Sequence, residues 1–97
     1  MTAPSPDAGA VVRVVFGALR RLDRTAHTQQ AFQFAAAAEG LTVEQVGPAI
    51  DEAMRAATGK DRAALPYMTS DDQRQVLRAT GSHLTKQAAE DTQVGPA

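Results

Sequence analysis

The sequence predicts an all-α fold, a small bundle of about four helices. Two observations carry this: apolar residues recur at helical spacing, and helix-capping signals stand at the heads of those stretches. A chain of 97 residues holds one compact domain. That domain is expected over 7–90, between flexible tails at 1–6 and 91–97.

Residues 8–24 read AGAVVRVVFGALRRLDR. Val12, Val15, Phe16, Leu19 and Leu22 fall on one helical stripe, and Arg13, Arg20 and Arg24 share another face. A strand through 11–16 competes, because β-branched residues favour sheets. The arginine spacing favours the helix. Ser5 would cap it, with Pro6 at its first position. A second helix starts at Thr25 or Thr28 and ends at Gly40, a natural left-handed stop, with Leu41 folding back onto it. Phe34, Ala35 and Ala38 are expected to face inward, with Phe32 flanking them.

Thr42 and Gln45 match a capping box, but Pro48 would then sit at the sixth helical position and delete a backbone hydrogen bond. The expectation is a turn over 43–47 followed by a helix over 48–58, ended by Gly59. Its inward stripe is Ile50, Ala53, Met54 and Ala57, and Asp51 pairs with Arg55 on the other face. Residues 59–69 connect to the last helix, with Leu65, Tyr67 and Met68 packed beneath the connector. Ser70 and Gln73 make a further capping box, and Asp71 and Asp72 favour the positive helix end. The last helix covers about 71–88, with Val76, Leu77, Thr80 and Leu84 inward. Gly81 weakens its middle by about 1 kcal/mol relative to Ala.

Composition excludes several function classes. A net charge of −1 sets up no global field for polyanions. The absence of cysteine rules out a disulfide scaffold, a thiolate metal site and a cysteine nucleophile. No apolar run approaches the ~18 residues of a membrane span, and the N-terminus lacks the basic and apolar segments of a signal peptide, so a cytoplasmic location is expected. His27 and His83 have no ligand-spaced partner. Asp71 and Asp72 are accounted for by their helix terminus, and there is neither a Gly-rich phosphate loop nor an aromatic platform for bases. No catalytic residue, metal, cofactor, small-molecule substrate or membrane contact is therefore expected.

The leading functional expectation is a non-enzymatic protein–protein interaction or assembly module that self-associates as a homodimer or joins a larger assembly. Leu, Ile, Val and Phe together number only 18. Full burial of each is worth about 1.5–3 kcal/mol, against an ordering cost of about 1–2 kcal/mol for every residue. Association relieves such a thin core. Charge is also uneven. Arg13, Arg20, Arg21 and Arg24 outweigh Asp7 and Asp23 in residues 1–30, whereas Glu39, Glu44, Asp51 and Glu52 outweigh Arg55 in residues 31–57. A basic first helix and an acidic third suit mutual recognition, within the fold or between copies. The candidate surface comprises Phe16 on the first helix, Ala36 and Ala37 on the second, and Glu44, Asp51 and Glu52 on the third.

The alternative is a DNA-binding transcriptional regulator. Residues 32–51, FQFAAAAEGLTVEQVGPAID, resemble a helix-turn-helix motif within a corner spanning 28–58. In that resemblance Ala36 stands where the helices cross, Gly40 and Leu41 form the turn, Thr42 caps, and Val46 is the buried anchor. It implies nucleic-acid binding, with Arg13, Arg20, Arg21 and Arg24 as phosphate contacts. Glu39 departs from the motif at a position normally apolar, and Pro48 interrupts the helix that would enter the groove. Glu44, Asp51 and Glu52 would oppose the counterion release that drives such binding.

Overall fold

The computed structural model describes residues 7–22 and 27–93, with side chains through Glu90. Four α-helices, α1 (Ala8–Arg21), α2 (Thr28–Ala38), α3 (Val43–Thr58) and α4 (Ser70–Gln93), surround one core, and a 3-10 helix (Arg62–Tyr67) links α3 to α4. Residues 11–16 are helical, and no strand occurs among the described residues. Helix α1 lies at the centre and packs along both α2 and α4, while α3 packs along α4. Helices α2 and α3 form the expected helix–turn–helix corner but touch each other sparingly.

Helix α1 begins at Ala8, with Asp7 in the cap position and the Val11 N–H on the Asp7 carbonyl at 3.1 Å. The expected Ser5–Pro6 start, the tail 1–6 and Arg24 lie outside the described residues. The inward face of α1 is Ala10, Val11, Val14, Val15 and Ala18, which corrects the expected stripe. Val15 alone is shared, and Val12, Phe16, Leu19 and Leu22 are half-buried flanks. The helix has neighbours on more than one side, and its small residues admit the closest approach. At Gly17 an added Cβ would stand 3.2 Å from that of Ala35.

Helix α2 is rotated from expectation for the same reason. Ala31, Phe32, Ala35 and Ala36 are buried, whereas Phe34 is 55% exposed and Ala38 faces solvent. Residues two apart on a helix point about 200° away from each other, so only one of Phe32 and Phe34 can face the core. The one aligned with the buried alanines does. The helix stops as expected: Gly40 has φ +71°, its N–H bonds the Ala37 carbonyl at 3.0 Å, and the Leu41 N–H reaches back to Ala36 at 2.9 Å.

Helix α3 is continuous from Val43, which corrects the expected turn over 43–47. The Thr42 capping box is complete: the Thr42 N–H donates to Gln45 Oε1 at 2.8 Å and the Gln45 N–H to Thr42 Oγ1 at 3.3 Å. Proline restricts the residue before it by clashing with that residue's N–H and Cβ, and Gly47 lacks the Cβ. Pro48 is exposed, where a carbonyl freed of its helical partner costs least. Val46, Ile50, Ala53 and Met54 are buried, Ala57 is exposed, and Gly59 ends the helix at φ +75°.

The connector differs in two respects. Leu65 is buried and Met68 packs against the core, but Tyr67 is 91% exposed. The head of α4 is capped one residue earlier than expected, because Thr69 Oγ1 accepts the Asp72 N–H at 3.1 Å. Gln73 does not close a capping box with Ser70. Its amide instead donates to the carbonyls of Leu65 and Met68 at 2.6 and 3.2 Å, binding the 3-10 helix to α4. Val76, Leu77, Thr80 and Leu84 are buried as expected, and the Thr80 hydroxyl is satisfied by the Val76 carbonyl at 2.8 Å. Helix α4 continues to Gln93, past the boundary expected for the tail, and 94–97 lie outside the described residues.

Gly81 is where α1 meets α4. A Cβ there would lie 2.6–3.0 Å from three carbons of the Phe16 ring. Gly81→Ala should therefore destabilise the fold by about 1–3 kcal/mol, despite its better helix propensity. In a Phe16→Ala background the same change should stabilise by about 0.5–1 kcal/mol. Urea unfolding of the four proteins checks this, and the same sign in both backgrounds would contradict the packing.

Candidate interaction surface

A shallow groove of about 370 Å3 runs along α1 beside α2. Val12, Phe16, Ala35 and Ala38 form its apolar floor, and Arg13, Arg20, Arg21 and Glu39 stand around it. The exposed Phe34 precedes Ala38 by four residues and so stands within about 40° of it on α2. This groove follows from the packing above. Because valine and alanine take the inward face of α1, its larger apolar side chains are left at the margin.

The rim is basic and partly self-neutralised. Arg13 Nε donates to Glu39 Oε1 at 2.6 Å, joining α1 to the end of α2. That hydrogen bond and the Glu39 charge, with a smaller contribution from Asp7, raise the Arg13 pKa above its ordinary value. Glu39, which looked anomalous in a position expected to be apolar, is half-buried through this pair. Arg21 Nη1 donates to the Gly17 carbonyl at 3.3 Å, and Arg20 is exposed at the rim.

The sequence-predicted site residues are thus divided. Phe16 is half-buried, with its ring on Gly81 and in the floor of the groove. Ala36 is 1% exposed and belongs to the core, so only Ala37 of that pair reaches the surface. Arg13, Arg20 and Arg21 gather at the groove, and Arg24 lies outside the described residues. Glu44 and Glu52 are exposed on the outward face of α3, with Pro48 between them. Arg55 shares that face, 3.7 Å from Asp61. Phe34 was missed, although the two-residue spacing of Phe32 and Phe34 already required one of them to face outward.

Asp51 is not paired with Arg55 as expected. The Arg62 guanidinium grips its carboxylate through Nε at 2.8 Å and Nη2 at 3.1 Å, and the Arg62 backbone N–H adds a third bond at 3.2 Å. The guanidinium crosses Gly47 so closely that a Cβ there would overlap it. This unit fastens the 3-10 helix to α3. It also lines a cleft of about 330 Å3 walled by Phe32, Val43 and Pro66, whose Asp51 and Arg62 are committed to each other.

The residues of the motif resemblance take the expected local forms. Gly40 is left-handed, Thr42 caps, and Ala36 and Val46 are buried. The helix that would enter a DNA groove, however, presents Glu44 and Glu52 outward. Among the described residues no group of three or more His, Asp or Glu gathers to hold a metal, and no helix is long and apolar enough to cross a membrane. His83 has its Nε2 buried without a hydrogen-bond partner.

Burial of the Asp51 carboxyl acts to raise its pKa, but the Arg62 hydrogen bonds, with the charges of Arg62 and Arg55, outweigh it and hold Asp51 below its ordinary 3.8. A carboxylate depressed on folding contributes stability that is fully present above the unfolded-state value of about 3.9 and is lost as pH falls through the folded value. Asp51→Asn should therefore lower the urea midpoint at neutral pH and reduce the further loss on acidification below pH ~4. An acid limb as steep as that of the wild type would remove this pair from the account. No protein-family model, curated protein or solved structure matches the chain.

Proposed function

We propose that the chain is a small non-enzymatic helical interaction module that self-associates through the groove between α1 and α2. The observation that carries this reading is the apolar groove floor of Val12, Phe16 and Ala38, bordered by Arg20 and Arg21, with the exposed Phe34 one turn before Ala38 on α2. An aromatic anchor beside arginines within an apolar patch is the composition of a protein-binding hot spot. The thin core supports the same reading. Of the seventeen apolar residues buried among those described, six are alanine. Burial of the groove against a partner adds the apolar area that this core lacks.

Nucleic-acid binding has less support. Arg13 is neutralised by Glu39, and the outward carboxylates of α3 would meet phosphates as like charges.

Phe34→Glu tests the proposal with little risk to the fold, because that side chain is more than half exposed. Light scattering should give the wild type a molar mass that rises above 10.2 kDa with concentration. The variant should remain at the monomer mass with unchanged helicity. A wild type that stays monomeric, or a variant that associates equally well, would contradict the reading.

A further inference from the structure

We infer that the occupant of the α1–α2 groove is the outward face of α3 on a second copy of this chain, an inference that rests on the self-association proposed above. The argument is charge complementarity between two exposed surfaces of the same molecule. The groove carries Arg20 and Arg21 at its rim. The outward face of α3 carries Glu44 and Glu52 at the ends of a short strip, with Pro48 between them and Ala56 beyond, all exposed. Residues four apart fall within about 40° of each other on a helix, so Glu44, Pro48, Glu52 and Ala56 form one oblique ridge. Its non-acidic members are small and apolar and suit a shallow floor of Val12, Phe16 and Ala38. Arg55 lies beside this ridge, close to Asp61, so the local charge remains acidic.

The two surfaces are placed so that they cannot satisfy each other within one chain. Glu52 borders a depression with Ala8 and Val11, at the start of α1. Arg20 and Arg21 stand at its other end. Nine residues separate Val11 from Arg20, roughly 13 Å of helix at about 1.5 Å per residue. Pairing of Arg20 with Glu52 therefore requires a second molecule. Pairing groove with groove would offer Arg20 and Arg21 only Glu39 as a counter-charge, and Arg13 already holds that carboxylate.

The test is a charge-reversal exchange between two variants of the full chain, Arg20→Glu and Glu52→Arg. Both positions are exposed, and circular dichroism verifies that each variant keeps its helicity. Sedimentation should show self-association of each variant alone weakened by about tenfold or more. An equimolar mixture should recover it, because the wild-type groove of one variant can receive the wild-type α3 of the other. A mixture that stays dissociated while the wild type assembles, or single variants that assemble like the wild type, would overturn α3 as the occupant. In either case the groove itself would still stand if Phe34→Glu disperses the wild-type assembly. A wild type that does not associate at all would overturn both.

Discussion

Close approach of α1 to its neighbours is the constraint on which the rest of this structure depends. Helix axes pack about 8–10 Å apart, and the distance is set by the side chains at the contact. Here a glycine stands on at least one side of each contact. Gly17 faces Ala35 on one side of α1, and Gly81 receives the Phe16 ring on the other. Valine and alanine fill most of the inward face between them. A core this lean buries less apolar surface per residue than one built from leucine, and it leaves Val12, Phe16 and Phe34 partly in solvent. The groove and the modest core are thus two consequences of one packing choice.

Charge is arranged around that core with two distinct roles. The Asp51–Arg62 unit is half-buried, makes three hydrogen bonds and fixes the 3-10 helix to α3, as Gln73 fixes it to α4. The Arg13–Glu39 pair is more exposed, and pairs of that kind contribute little to stability. Its larger effect is to neutralise one of the groove's arginines, leaving the positive charge of the rim at Arg20 and Arg21. The acidic ridge of α3 has a matching bias, and this complementarity is the basis for the proposed contact between copies.

Features governed by local chemistry were legible in the sequence. The glycine stops at Gly40 and Gly59, the Thr42 capping box and the inward stripe of α4 all follow from neighbours within a few residues. The rotation of α1 was not legible, because its apolar residues cover a wide arc and the choice of inward face depends on how near α2 and α4 can come. The Asp51 partner was missed for a related reason: Arg62 returns to it only through the 3-10 helix. Pro48 seemed to forbid a continuous helix until Gly47 is considered as the residue before it. At the candidate site, the basic and acidic segments were visible as charge, and the groove was not. It exists only once Val12 and Phe16 are left at the margin of α1, beside Ala35 and Ala38 of α2.

The proposed self-association is expected to add stability to a folded chain whose core is thin. Thermal unfolding measured over a hundredfold range of protein concentration tests it most directly. Linkage between folding and association makes the midpoint rise by several degrees across that range. A midpoint independent of concentration would show that the folded chain draws no stability from a second copy, and would contradict the claim.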